Sequence, residues 1–203
     1  GDVYKRQPSY AQGITCYFCH TVDGIEGTHN NPLRLADDDV MRGSYDDPVA
    51  NRAHRSAYSP FLDRTHPKSS DLCGSCHDVV TPEGFHVQRT FAEWSESLYA
   101  STDPSTGQSC GQCHTKGRDD VAADAPNVGI RRVHNHQMVG LDVALTDFPQ
   151  KPQQRARIER ELSFSVAAVL CVYDVDGKPD IEVSLENIGV GHSWPCLLYT
   201  SDA

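Results

Sequence analysis

The clearest periodic pattern of apolar side chains lies in the segment Arg89–Ala100. Phe91, Trp94 and Leu98 recur there at intervals of three or four residues, with polar and acidic residues between them. That spacing places the apolar side chains on one face of a helix. We therefore predict a short amphipathic helix whose apolar face, with Tyr99 at its edge, packs against the interior of the protein.

The last quarter of the chain shows the pattern of β-strands instead. Leu162–Val172 is rich in apolar and β-branched residues, and Asp180–Glu186 alternates between apolar and polar positions. Asp176-Gly177 lies between them and is a strong signal for a two-residue hairpin turn. We predict a β-hairpin that leads into a Gly-rich loop, Asn187–Pro195, and is preceded by a Pro- and Gln-rich linker, Phe148–Gln154.

The remaining sequence is polar, and its composition limits what the protein can be. Only 38% of the 203 residues are hydrophobic, and the chain contains 15 Gly and 12 Pro, so the protein atoms predict a thin core. A large apolar cofactor would supply the missing buried surface.

A net charge of −10 argues against a nucleic-acid partner. No apolar run approaches the length of a membrane span. The acidic stretch Asp37–Asp39 predicts a solvated loop, because it lacks the spacing of an EF-hand.

Six of the eight cysteines occur in three copies of one pattern, C-x-x-C-H. On the order of 0.02 copies would arise by chance at these Cys and His frequencies, so the pattern is a specific signal for covalent haem c. Two thiols three positions apart lie on one side of a helical turn and can bond both vinyl groups of one haem, while the following His binds the iron. Three haems are therefore predicted. The thioether cysteines would be Cys16, Cys19, Cys73, Cys76, Cys110 and Cys113, and the proximal ligands His20, His77 and His114.

Zinc and disulfides are the competing interpretations of these cysteines. Zinc sites combine two C-x-x-C units or one unit with a later pair of His, which three units and a His after each do not match. Disulfides suit an oxidising compartment but leave the three histidines unexplained. Cys171 stands apart in an apolar run and is predicted to be a buried small hydrophobic residue.

The histidines outside the motifs are candidates for the second axial ligand. Ten His are present and three follow the motifs, which leaves seven, against Met41 and Met138 as possible Met ligands. This excess favours bis-His ligation, which gives a lower reduction potential than His/Met. Seven His exceed the need of three haems, so the others bind irons elsewhere or lie at the surface. We rank His54, His134 and His136 first, His29 and His66 next, His86 lower, and His192 as the most ambiguous.

Both ends of the chain look as if they were not encoded by the gene of this protein. Gly1–Gln7 and Cys196–Ala203 back-translate to the two orientations of a transposase adapter used in preparing sequencing libraries, and we exclude them from reasoning about the fold. We expect the native segment to be truncated on both sides. Residues 8–154 are predicted to form a haem-binding domain, and residues 155–195 the start of a β-rich domain.

Several segments carry a family resemblance: DLCGSCHDVVTPEG, RTFAEWSESLYA, SCGQCH, VHNHQMVGLDVAL and NIGVGHSWP. With them, nearly all of Pro8–Pro195 resembles the multihaem cytochromes c, in particular the group related to the tetrahaem cytochrome that accepts electrons from hydroxylamine oxidoreductase. The resemblance implies mostly short α-helices and irregular loops wrapped around covalent, closely spaced haems, followed by the start of a β-sandwich-like domain. It also implies distal roles for His in the VHNHQ segment and in the GHSWP loop.

Three functions from different classes are compatible with this resemblance. The first is a carrier that relays single electrons between redox partner proteins in the periplasm or outside the cell. The second is an oxidoreductase that acts on a small nitrogen or sulfur compound at a haem with an open axial position, which needs acid–base groups close to that iron. A haem-bearing surface protein that docks through its β domain is a third. The excess of histidines over haems favours full ligation and therefore the relay.

Overall fold

A computed structural model describes residues 14–49, 54–126, 128–143 and 145–194. The adapter-like segments, Gly1–Gln7 and Cys196–Ala203, lie outside these ranges. The described elements amount to 25% helix and 29% strand, and most of them are short. It stays a prediction that these elements wrap around haems. It also stays a prediction that the last strands begin a β-sandwich-like domain.

Five α-helices and ten strands make up these ranges. The strands pair two by two into separate ribbons, and all but one of the ribbons are antiparallel. The helices are α1 Cys16–His20, α2 Ser69–Cys76, α3 Thr90–Glu96, α4 Cys110–His114 and α5 Lys151–Ser165. The ribbons are β1 Val22–Ile25 with β2 Leu33–Leu35, β3 Val40–Gly43 with β4 Arg55–Tyr58 in parallel, β5 Val79–Val80 with β6 His86–Gln88, β7 Gly117–Val121 with β8 Ile130–His134, and β9 Val166–Val175 with β10 Lys178–Asn187.

The core formed by protein atoms is small, as the composition predicts. Within the described ranges, the buried apolar side chains are Val22, Val139 and Ile158. Small polar residues, among them Ser70 and Ser75, are buried as deeply. The apolar surface that stabilises most domains of this size is therefore largely missing from the side chains themselves.

The predicted amphipathic helix forms, but it is shorter than its pattern suggested. Helix α3 ends at Glu96, because Ser97 adopts an extended conformation and starts a separate 3₁₀ turn, Leu98–Ala100. Phe91 and Trp94 stack at 5.7 Å between ring centroids, as neighbours on one helix face. The prediction that Leu98 belongs to this helix was wrong, because it lies in the 3₁₀ turn after Ser97, where it is 79% exposed.

The C-terminal part contains the predicted hairpin and an additional helix. Helix α5 begins at Lys151, inside the expected linker, with Pro152 in its first turn, where the missing N–H costs no hydrogen bond. Because this helix continues to Ser165, strand β9 starts at Val166 and not at Leu162. Asp176 and Gly177 have φ values of 52° and 76°, which suit a type I′ turn.

Most of the hairpin is exposed, apart from the start of β9 and Cys171. Strand β10 is exposed along its whole length, and Cys171 on β9 is half-buried, so the prediction of a buried Cys171 was wrong. The physical reason is that a two-stranded ribbon has no second layer against which to bury a side chain. None of the helices in the described ranges has the apolar length that crossing a bilayer requires.

The acidic stretch Asp37–Asp39 lies in an exposed bend, as predicted for a solvated loop. Asp38 forms an ion pair with Arg42, and Asp39 with Arg55. These pairs satisfy the carboxylates locally.

Candidate haem site

Each of the three C-x-x-C-H sequences lies on a short helical turn. Helix α1 and helix α4 consist of a motif and nothing else, while the second motif occupies the end of α2. Cysteines three positions apart on a helical turn project from the same side. The local backbone thus has the form that attachment of both vinyl groups of one haem requires.

The third motif is fixed to the second by hydrogen bonds at its N-terminus. Ser109 and Gln112 form a capping box, in which Ser109 Oγ accepts from the Gln112 N–H and Gln112 Oε1 accepts from the Ser109 N–H. Ser109 Oγ also donates to the Arg64 carbonyl at 2.5 Å. The Cys110 N–H donates to Ser70 Oγ of α2 at 3.1 Å, so α4 begins directly against the helix that carries the second motif.

The first motif is joined to the second through two asparagines in left-handed conformation. Asn30 and Asn31 have φ values of 59° and 57°. Their N–H groups donate to the carbonyls of Asp78 at 3.0 Å and Ser75 at 2.6 Å. The Asn30 side chain also donates to the Val80 carbonyl and accepts from its N–H, at 2.7 and 2.8 Å. Asn tolerates this conformation better than most residues, which explains why the link can be so tight.

Gly74, inside the second motif, allows α3 to pack directly on α2. A Cβ atom at this position would collide with the Phe91 ring. The Phe91 N–H donates to the His77 carbonyl at 3.2 Å, and the Ala92 N–H donates to the buried Asp78 carboxylate at 3.2 Å. Helix α3 is therefore held at the C-terminal end of the second motif.

The thiols of neighbouring motifs lie close together. Contact with the Cys110 thiol, together with burial, raises the pKa of Cys73, and the same contact lowers the pKa of Cys110 to about 7. Burial, followed by the neighbouring Cys76 and Cys16, raises the pKa of Cys19. The thiols therefore connect the first motif to the second and the second to the third.

The cysteines in the described ranges form neither a disulfide nor part of a three-residue metal cluster. All seven cysteines described there are free, so no disulfide joins them. No three His, Cys, Asp or Glu side chains in those ranges converge as a zinc site would require.

Two of the three motif histidines have the hydrogen bond that orients a metal ligand. His20 Nδ1 lies 2.5 Å from the Arg42 carbonyl, and His114 Nδ1 lies 2.6 Å from the Val139 carbonyl. A carbonyl can only accept, so Nδ1 carries the proton in both rings and Nε2 keeps its lone pair for a metal. His77 differs, because its Nδ1 contacts the side-chain amide of Gln88 at 3.2 Å.

The same two histidines each face a second imidazole. The ring centroids of His20 and His136 are 6.2 Å apart, and those of His114 and His192 are 6.4 Å apart. An imidazole nitrogen binds a transition metal at about 2.0–2.1 Å, and the ring centroid lies about 1.1 Å behind that nitrogen, so two axial imidazoles have centroids about 6.2–6.4 Å apart. Rotation of a ring about its metal–nitrogen bond leaves this separation unchanged, so the interplanar angles of 34° and 16° are both compatible with axial ligation.

The loop that carries His192 is held in place by specific contacts. The Asn187 side chain accepts from the N–H groups of Gly189 and Val190 and donates to the carbonyls of Val190 and His192. The Ser193 N–H donates to Glu93 of α3 at 2.8 Å. A Cβ on Gly191 would lie 2.7 Å from the Tyr99 ring, so only glycine allows the loop to approach this closely.

The other candidate histidines make different contacts in the part of the chain that the structure describes. The ring of His134 lies against Gly117 in the β7–β8 ribbon, and burial lowers its pKa. His66 Nδ1 accepts from the Lys68 N–H, so its neutral form carries the proton on Nε2. His54 Nδ1 contacts the carbonyl of its neighbour Arg55, His29 contacts Thr28, and His86 is exposed on β6. In the described ranges no imidazole makes a ring contact with His77.

The ranking of candidates therefore differs from the geometry. His136, which was ranked first together with His54 and His134, lies close to His20, whereas the ring of His134 lies against Gly117. His192, which was the most ambiguous candidate, lies close to His114. Asn187 and Gly191 around His192 are signals that could have raised its rank, because both residue types support tight loops. The sequence also did not lead us to predict that Asn30 and Asn31 join the first motif to the second.

A test of fit to haem comes from buried donors that lack an acceptor. Arg89 Nε and Trp194 Nε1 are buried and make no hydrogen bond. Both groups can only donate, so they suit a cofactor that brings acceptor oxygens. Together with the thiols on helical turns and the spaced imidazole pairs, they form a donor set that fits haem c.

Comparisons with known proteins give no relatives for this site. No protein-family model matches the chain, and neither a curated protein nor a solved structure matches it.

Proposed function

We propose that this chain is part of a multihaem c-type cytochrome that relays single electrons between redox partner proteins. The observation that carries the proposal is the imidazole spacing of 6.2 and 6.4 Å beside two C-x-x-C-H turns. That distance is compatible with two imidazoles bound to one iron, and the motifs themselves are specific for covalent haem. The resemblance to the cytochromes related to the acceptor of hydroxylamine oxidoreductase supports the same function.

The residues that would hold the haems follow from this arrangement. His20 with His136, and His114 with His192, would be axial pairs, and His77 would be the proximal ligand of a further haem. The haem groups supply a reversible one-electron ferric/ferrous couple. Bis-His ligation would give that couple a lower potential than His/Met ligation. The thioether positions are Cys16, Cys19, Cys73, Cys76, Cys110 and Cys113.

The packing of the motifs supports a relay and not three isolated centres. The Cys73 thiol contacts that of Cys110, and, in addition to burial, the charge of Cys76 acts on Cys19 and helps to raise its pKa. The charges of His114 and His192 also act on His77, adding to the burial that lowers its pKa. Groups attached at these positions would therefore be close neighbours, which lets an electron pass between them without a diffusing carrier.

The compartment follows from how haem c is made. Thioether formation takes place outside the cytoplasm on reduced thiols, so we propose a periplasmic or extracellular protein. Expression with export and the haem-attachment machinery should yield red protein. Expression without either should yield colourless chain, and a red product in the cytoplasm would contradict the assignment.

One observation favours an enzyme as the second candidate function. Within the described ranges His77 is the motif histidine without a partner imidazole, and its Nδ1 faces a side chain instead of a carbonyl. A haem at the second motif with an open axial position could bind a small nitrogen or sulfur compound. This alternative predicts a high-spin ferric signal from one haem and a spectral change on adding nitrite, hydroxylamine or sulfite.

The relay is tested by counting haems and reading their spin states. Acid–acetone extraction should leave the colour with the protein, and intact mass should show three covalent haems. The ferric spectrum should show low-spin bis-His haem for the first and third motifs. Loss of colour on extraction, or zinc in place of iron, would overturn the proposal.

A further inference from the structure

The segment that carries His136 has no regular secondary structure to hold it. Residues 135–140 belong to neither a helix nor a strand, and His136 is exposed, although its ring lies 6.2 Å from that of His20. A helix or strand fixes the direction of a side chain through its backbone hydrogen bonds, which an irregular segment lacks. The contacts of Asn135 and Gln137, the two neighbours of His136, therefore decide where this imidazole lies.

On its N-terminal side, the His136 segment is joined to Lys116. Asn135 donates to the Lys116 carbonyl with its backbone N–H, at 3.3 Å, and with its side-chain amide. The Asn135 side-chain oxygen accepts from the Gln137 N–H at 3.2 Å, a local turn that encloses His136. Lys116 follows His114 by two residues, so this contact joins the segment to the end of the third motif.

On its C-terminal side, the same segment is joined to helix α5. Arg157 donates to the side-chain carbonyl of Gln137 at 2.9 Å. One turn later, Glu161 accepts from the Lys116 ammonium with both carboxylate oxygens, at 2.7 and 2.6 Å. Residues four positions apart lie on one helix face. Ile158, which is buried, keeps α5 against the rest of the protein, so the two contacts come from a helix that is itself anchored.

Together these contacts form one network on both sides of His136, made of Asn135, Lys116, Glu161, Arg157 and Gln137. We propose that Arg157 and Glu161 are positioning residues that hold His136 as an axial ligand of the haem at the first motif. The inference rests on the proposed function, which assigns His136 to that iron. Neither residue touches the iron; Arg157 acts through Gln137, and Glu161 acts through Lys116 and Asn135.

The network decides whether the first haem is a closed electron carrier or an open centre. While it is intact, both axial positions are filled by imidazole. When it is broken, His136 leaves the iron more often and frees one position for a small ligand. Exposed ion pairs are individually weak, so loss of one contact should lower the ratio of low-spin to high-spin haem by about two- to fivefold and not abolish ligation.

The experiment uses the haem-loaded protein and begins with a count of haems. Glu161→Gln removes the ion pair, and Arg157→Gln removes the contact with Gln137. The matched controls are Glu159→Gln and Arg155→Gln, the same changes at exposed positions of α5. Each control lies two residues before its counterpart, about 200° around the helix. Electron paramagnetic resonance and absorption spectra of the ferric proteins are recorded with and without added imidazole.

We expect a high-spin fraction from one haem in Glu161→Gln and in Arg157→Gln, and added imidazole should convert it back to low spin. The controls should keep the spectrum of the unmodified protein. Exchanging the charges in Lys116→Glu/Glu161→Lys should restore most of the low-spin signal, because the ion pair forms again while the Lys116 carbonyl, a backbone group, still accepts from Asn135. A general loss of stability would not be reversed by that exchange.

The His136→Ala background shows which haem is affected. Neither Glu161→Gln nor Arg157→Gln should add a second high-spin haem there, because His136 is already absent. A second high-spin haem would place their effect at His114 and overturn the inference. If three haems are bound and both variants match their controls, the inference is also overturned, while the proposed function stands. If no haem is bound, the proposed function itself fails.

Discussion

The imidazoles of His114 and His192 lie 6.4 Å apart, centroid to centroid, although helix α5 and the β9–β10 hairpin separate them along the chain. His114 belongs to the third C-x-x-C-H turn, while His192 belongs to the loop that leaves the hairpin. The pair therefore connects the part of the chain that carries the C-x-x-C-H turns to its last described segment. Substitutions at and around this pair provide the sharpest tests.

Replacing His192 should change the coordination of one haem. We expect His192→Ala to convert one low-spin ferric haem to high spin, and His192→Met to raise one midpoint potential, because Met stabilises the ferrous state. Electron paramagnetic resonance and a redox titration measure these changes. His86→Ala is the control, since His86 is exposed on β6. A low-spin spectrum and potentials that do not change in His192→Ala would exclude this ligand.

His136 and His134 should behave differently, although they are two positions apart. His136 faces His20 at 6.2 Å, whereas the ring of His134 lies against Gly117. His136→Ala should create a high-spin signal, and His134→Ala should leave all haems low-spin. Spectra of the ferric proteins decide the question, and equal effects of the two substitutions would show that the pairing with His20 is incorrect.

Asn187 should control how firmly the His192 loop is positioned. Its side chain makes four hydrogen bonds within the loop, each worth about 0.5–1.5 kcal/mol net. Asn187→Ala should therefore give a partly high-spin haem whose fraction grows with temperature, while His192 itself is intact. Asn187→Asp keeps the acceptor and should give a smaller fraction. Variable-temperature absorption spectra measure both, and identical spectra for Ala and Asn would contradict the prediction.

Gly74 should be intolerant of a side chain. A methyl group there collides with the Phe91 ring, and overpacking of this kind typically costs about 1–3 kcal/mol. Thermal unfolding of haem-loaded Gly74→Ala should therefore show a lower midpoint. Gly43→Ala is the control, because no atom lies near a Cβ at that position. The double variant Gly74→Ala/Phe91→Ala should lose less stability than the two single changes combined, and strict additivity would argue against the contact.

The features that the sequence determined by itself are local ones. Cysteines three positions apart with a following His predict a helical turn within five residues, as the structure has at Cys110–His114. Asp176-Gly177 specifies a tight turn, because few residues adopt positive φ so readily. Both were predicted without knowledge of the rest of the chain, since neighbouring residues alone decide them.

Only the tertiary structure decided which distant groups meet. His54 and His192 cannot be ranked from composition or spacing, because the pairing of His192 with His114 depends on the path of α5 and the hairpin and on the contact of Ser193 with Glu93. The exposure of Leu98 likewise depends on an extended Ser97 that its helical spacing does not reveal. A short element carries little information about its direction in space, so in a chain of short elements the long-range contacts decide which histidines meet.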